Sequence, residues 1–162
     1  MKNILIPLDL MRSPSDALVY ARNLAAESPI SVTLLYVLNL NIVPPVRQVY
    51  DELCAESEAA LQKLAKFFFG MDKAARVVVR VGSPDEEIVA EAKAESADLI
   101  IMSGPERRSW RQLLRLGTTQ KVIDASPCPA MVLPRQQKMQ PHMPRIHPMT
   151  KESPAEALRP AA

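Results

Sequence analysis

Residues 104–118 read Gly-Pro-Glu-Arg-Arg-Ser-Trp-Arg-Gln-Leu-Leu-Arg-Leu-Gly-Thr, and they hold two of the four glycines in the chain. Gly104 follows a predicted strand, and Gly117-Thr118 leads into a predicted helix. A loop of this kind can turn backbone N–H groups toward a phosphate. Its interior suits that use less well, because Pro105 has no N–H and Arg107, Arg108, Trp110, Arg111 and Arg115 are bulky. The segment reads as a nucleotide-site scaffold that has been altered or put to another use.

Other residues carry two readings each. Asp9 closes an apolar run, where an aspartate can hold a ligand or cap a turn with its own side chain. Thr118 or Thr119 can cap the last helix, and a cap can also face a ligand. Arg107, Arg111 and Arg115 would share one face of a helix, as an anion clamp, a docking surface for an acidic partner or, more simply, a solvated basic face. Trp110 can anchor a partner, lie over the crevice or plug it. Cys128 between two prolines can sense redox state, but packing as a small apolar residue is the simpler reading. His142 and His147 have no companions that complete a metal site.

The elements that position these residues alternate regularly. Asn3-Ile-Leu-Ile-Pro-Leu8 is a short apolar run suited to a strand buried on both faces. Ser13-Pro14-Ser15-Asp16 predicts a helix start, with Ser13 as N-cap. A second strand is expected over 31–38 and a long helix over 46–69, entered after Pro44-Pro45 and stopped by Gly70. A third strand is expected over 75–81, then a helix opened by a capping box of Ser83 and Glu86. A fourth strand spans 98–102, a fourth helix lies near 112–125, and a fifth strand covers 128–133. Such alternation predicts an α/β, Rossmann-like three-layer fold, with a five-stranded parallel sheet and helices on both faces. Ligands of these folds sit beyond the carboxyl ends of the strands, where Asp9, Val37 and Gly104 fall.

The chain of 162 residues has 20 Lys/Arg and 18 Asp/Glu, so its charge calls for neither nucleic acid nor a membrane surface. Residues 135–162 hold five of the basic and two of the acidic residues, together with five prolines, and read as a Pro-rich basic disordered tail. That leaves residues 1–134 as a nearly neutral domain. No signal pattern opens the chain, no apolar stretch is long enough to span a membrane, and the cysteines lack metal-type spacing. A reducing cytoplasm is the expected compartment.

The strand end at Asp9, Gly82-Ser-Pro-Asp-Glu-Glu-Ile, Ala97-Asp-Leu-Ile-Ile-Met-Ser-Gly and Gly117-Thr118 followed by Val122-Ile-Asp-Ala-Ser-Pro-Cys-Pro129 occur here in order. With the alternation, they resemble the universal stress protein family over residues 1–134. The resemblance implies a G-2x-G-9x-G-[S/T] signature for ATP binding. Gly104 fills its first position, Gly117 its third and Thr118 the hydroxyl, while Arg107 stands where the central glycine belongs. A glycine there would let the backbone approach phosphate without a Cβ between them. Arg107 can attract phosphate charge but cannot reproduce that approach.

By the same resemblance, Asp9 would contact ribose and Val37 would sit by adenine. Gly117, Thr118 and Thr119 would meet the phosphates of ATP or AMP. The family implies a homodimer through the last strand, here about Ala130 to Leu133. The expected function is a regulatory or interaction module with nucleotide binding weakened or lost, requiring no cofactor. The alternative is an adenine-nucleotide-binding stress regulator. Enzymes of related architecture use a paired-His sequence or a Ser-Gly-Gly loop. Neither occurs, and residues 1–134 contain no histidine; at most slow ATP hydrolysis would be expected.

Overall fold

The structure is a computed structural model, and it describes residues 2–10, 16–39, 47–70, 75–106 and 117–135. The elements run β1 (Asn3–Leu8), α1 (Asp16–Glu27), β2 (Ser31–Asn39), α2 (Arg47–Phe69), β3 (Arg76–Gly82), α3 (Pro84–Ala94), β4 (Leu99–Glu106), α4 (Thr118–Ala125) and β5 (Ala130–Arg135). All strand pairs are parallel, in the order β3-β2-β1-β4-β5. The chain moves outward from β1 to β3, then returns to the other side of β1 for β4 and β5. The switch therefore lies between β1 and β4.

Alternation along the strands divides the core in two. Ile4 and Ile6 point to one face with Leu18 and Ala21 of α1 and Leu61, Leu64 and Phe68 of α2. Leu5, Leu35 and Ile100 point to the other, with Ile88 and Ala92 of α3 and Val122 of α4. Central β1 is buried on both sides, which explains its unbroken apolar run. At its start, the Asp98 carboxylate accepts hydrogen bonds from the backbone N–H groups of Lys2 (2.6 Å) and Asn3 (2.9 Å). This clamp sets β1 against the entry to β4.

Gly70 ends α2 at φ +78°, donating its N–H to the Lys66 carbonyl at 3.0 Å, as expected of a helix-stopping glycine. Three expectations are corrected. The capping box of Ser83 and Glu86 does not form: Ser83 occupies the N-cap, but its hydroxyl donates to Asp85 Oδ1 at 2.8 Å and makes no cap bond. Strand four continues past Met102 to Glu106, so Gly104 belongs to a strand rather than a loop. Strand five starts at Ala130, because Cys128 is held in a turn: its N–H donates to Ser126 Oγ at 3.3 Å, and that hydroxyl donates back to its carbonyl at 2.6 Å.

The last helix begins at Thr118, with Gly117 in an extended conformation at its N-cap. Its expected portion over 112–116 lies outside the described residues. So do Ser13-Pro14, Pro44-Pro45, Arg107, Arg108, Trp110, Arg111, Arg115, and the tail from 136 with His142 and His147.

Candidate functional site

The site forms where the carboxyl ends of β1, β2 and β4 meet the amino end of α4. Parallel pairing sets Leu8 beside Tyr36, so Asp9 and Val37 both lie at that end of the sheet. Asp9 is exposed directly after β1. Burial, and then the negative charge of Asp9, pushes the Tyr36 hydroxyl above the usual phenol range. Val37 is half-buried against the apolar cluster under α3 and α4. Sheet topology thus carries Asp9, Val37, Gly104 and Gly117-Thr118-Thr119 to the same end.

Gly104 is buried, and its lack of a side chain has a packing cause. A Cβ there would lie 2.9 Å from Val132 Cγ1 and 3.2 Å from the Leu133 carbonyl oxygen. Nearby, the β4–β5 register shifts between Ser103 and Glu106. This glycine permits close approach of two strands.

The start of α4 is more accommodating. No side chain caps it, and the Gly117 carbonyl accepts from the N–H groups of Gln120 (3.1 Å) and Lys121 (3.3 Å). Thr118 is exposed and Thr119 half-buried. First-turn N–H groups and the helix dipole favour an anion at such a terminus. Lys121 Nζ lies 3.1 Å from Asp85 Oδ2 on α3. Hydrogen bonding from Ser83, together with Lys121, holds the Asp85 carboxyl below the usual carboxylate range despite an opposing contribution from burial.

Two features escaped sequence reasoning. The Ser103 hydroxyl, at the carboxyl end of β4, is buried without a hydrogen-bond partner among the described residues. Strand alternation places it with Ile101 on the α1/α2 face, opposite Val37 and α4, and nothing in Met102-Ser103-Gly104 marks it as buried. The second is Glu91, 2% exposed on α3 and bound to Arg80. A nucleotide therefore fits in part: Asp9 and the α4 terminus offer polar partners, while a Cβ at Gly104 is excluded by strand packing.

An open cleft of about 870 Å³ lies at the opposite end of the sheet, beside Asn3, Ser31, Phe69, Arg76 and Glu95. It contains none of the expected ligand residues and lies at the amino ends of the strands, where ligands of this architecture are not expected. Among the described residues, no group of three or more His, Cys, Asp or Glu is placed to hold a metal ion. Nor is any helix among them long and apolar enough to cross a membrane. Cys54 and Cys128 are free thiols, and burial with nearby Asp51 pushes the Cys54 thiol up, away from the reactive thiolate.

Comparison with known proteins agrees with this fold. The profile of the universal stress protein family matches residues 1–134. Universal stress protein MJ0531 of Methanocaldococcus jannaschii is 27% identical over 143 residues, covering 85% of this chain and 84% of its own. The solved structure of MJ0577, from the same organism, superposes with a TM-score of 0.67 at 26% identity, covering 85% of this chain and 98% of its own. A universal stress protein solved in complex with cAMP shares the fold, with a TM-score of 0.57 at 18% identity over 83% of this chain and 98% of its own.

Proposed function

The chain belongs to the universal stress protein family, and from that premise we propose that it is a regulatory or interaction module, a homodimer through β5, with nucleotide binding weakened or lost. The observation that carries this reading is Gly104. Its glycine serves the packing of β4 on Val132 and Leu133, so one of two retained signature glycines has a structural duty. The central position is Arg107. Only Gly117, at the uncapped start of α4, is left to offer the backbone approach that the signature requires.

The dimer reading rests on β5. It is a terminal strand whose residues Ala130 to Leu133 are uncharged and only half-buried. Such an edge suits pairing with a second copy. The module acts in the cytoplasm, by regulation rather than turnover. Arg107, Arg111 and Arg115 would serve a protein partner or stand as a solvated face.

The uncapped start of α4 supports a second reading, retained adenine-nucleotide binding. The ligand would take ribose contact from Asp9, adenine contact at Val37 and phosphate contact at Gly117, Thr118 and Thr119. A universal stress protein of this fold has been solved in complex with cAMP. Loss of one phosphate contact costs about 1–3 kcal/mol, which weakens binding without abolishing it.

Native mass spectrometry of freshly purified protein, before and after ATP addition, separates the readings. An empty dimer that stays empty supports the weakened module. A dimer that carries adenine nucleotide moves the assignment to the second reading, and a monomer removes the β5 interface. ATP turnover above a heat-treated control, lost in Asp9→Ala, would overturn the regulatory assignment.

A further inference from the structure

We infer that the ion pairs Arg76–Glu95 and Arg80–Glu91 close the β3 edge of the sheet to a second copy of this chain, which confines self-association to the β5 edge. The closure of β3 stands on its own observations; only the confinement to β5 rests on the dimer proposed above.

β3 ends the sheet opposite β5 and, among the described strands, pairs with β2 alone. Its outer rim is a row of backbone donors and acceptors that can template another strand. The sequence sharpens that hazard. Arg76-Val-Val-Val-Arg-Val81 is strongly β-forming, and Val81 is 38% exposed. Left to its valines, this edge would attract another copy.

Two arginines interrupt it. Arg76 and Arg80 fall on the strand face that Val78 turns toward α3. The helix returns antiparallel to the strand, so Arg80 meets Glu91 in the second half of α3 and Arg76 meets Glu95 at its C-cap. Four residues span about 13 Å of strand but about 6 Å of helix. Long arginine side chains cover that difference.

The inner pair is poorly suited to stabilising the fold. Glu91 Oε2 accepts from Arg80 Nε at 2.9 Å and Nη2 at 2.7 Å, yet its buried Oε1 has no partner among the described residues. An apolar pair of similar volume is often as stable as a buried ion pair or more so, and an unpartnered oxygen adds a further cost. What the pair does achieve is to hold a guanidinium at the rim, with 46% of the Arg80 side chain exposed. In a two-fold antiparallel pairing centred on Val78, Arg76 of one copy would stand opposite Arg80 of the other. Like charges directly opposite disfavour pairing. Arg80 cannot swing aside without leaving Glu91 buried and unpaired. β5 carries no such device between Ala130 and Leu133.

The test is sedimentation velocity of the full chain over a range of concentrations. The variant Arg76→Thr/Arg80→Thr/Glu91→Leu keeps a strand-forming rim and leaves no orphaned buried charge. While folded by far-UV circular dichroism and cooperative melting, it should reach roughly twice the wild-type weight-average mass or more as concentration rises. Adding Val81→Lys should return it to the wild-type mass, which locates the contact on β3. A folded variant with wild-type mass at every concentration overturns the inference, as does association that Val81→Lys leaves unchanged. Should the triple variant not fold, Arg76→Thr/Glu95→Gln alters only the outer pair; a rise in its mass supports the inference and an unchanged mass overturns it. The wild-type mass separately judges the β5 dimer.

Discussion

Lys121 Nζ lies 3.1 Å from Asp85 Oδ2, tying the first turn of α4 to the first turn of α3 beside the candidate anion site. A lysine in the first turn of a helix opposes the dipole unless an anion answers it. Asp85 is the anion in this structure. A phosphate at the start of α4 would compete with it for the same ammonium group.

Asp85→Asn should therefore tighten ATP binding by roughly two- to fivefold at low ionic strength, the range expected of one exposed charge near a helix terminus. Lys121→Ala should weaken it by a similar factor. Isothermal titration calorimetry at two salt concentrations checks both. Equal affinities in all three proteins would separate Lys121 from the site.

Gly104→Ala should destabilise the fold by about 1–3 kcal/mol, the usual cost of overpacking. The added Cβ would meet Val132 Cγ1 at 2.9 Å and the less yielding Leu133 carbonyl at 3.2 Å. Val132→Ala in the same chain should recover part of the loss. Urea denaturation of the two single variants and the double variant gives the coupling, and strictly additive losses would refute the contact.

Gly70→Ala has a different cause and should cost about 1–2 kcal/mol. At φ +78°, nothing lies within 4 Å of an added Cβ, so the penalty is conformational. No neighbouring truncation should rescue it. Thermal melting of Gly70→Ala beside Gly70→Asn checks this, since asparagine tolerates the left-handed region better and should melt higher.

Asp98 sets a dependence on pH. Hydrogen bonds from the Lys2 and Asn3 N–H groups hold its carboxyl below the usual range. A depressed folded-state value means that the contribution is fully present above the unfolded value, about 3.9, and is lost as pH falls through the lower folded value. The melting temperature of Asp98→Asn should lie below that of wild type at neutral pH, and the gap should close in acid. A gap that stays constant down to about pH 2 would exclude this linkage.

Much of the fold was legible along the chain. Continuous apolar runs marked strands buried on both faces, helical stripes such as Leu61, Leu64 and Phe68 marked the covering faces, and Gly70 marked the end of α2. The order of elements also put Asp9, Val37 and Gly117-Thr118 at one end of the sheet. The role of Gly104 was not, because a glycine after an apolar run looks the same in a loop and in a close-packed strand. Ser83 and Glu86 had the spacing of a capping box, but Asp85 offered the hydroxyl a nearer charged acceptor.

The sequence by itself determined the elements, their order and which strand ends share one end of the sheet. These follow from periodicity and from residues that favour or forbid local backbone conformations. Tertiary structure alone decided that Gly104 answers to Val132, that Glu91 is buried under Arg80, and that Asp98 anchors the start of β1. Each of those pairs joins residues from different elements. Their burial and distance arise only when the strands take the order β3-β2-β1-β4-β5 and the helices close over them.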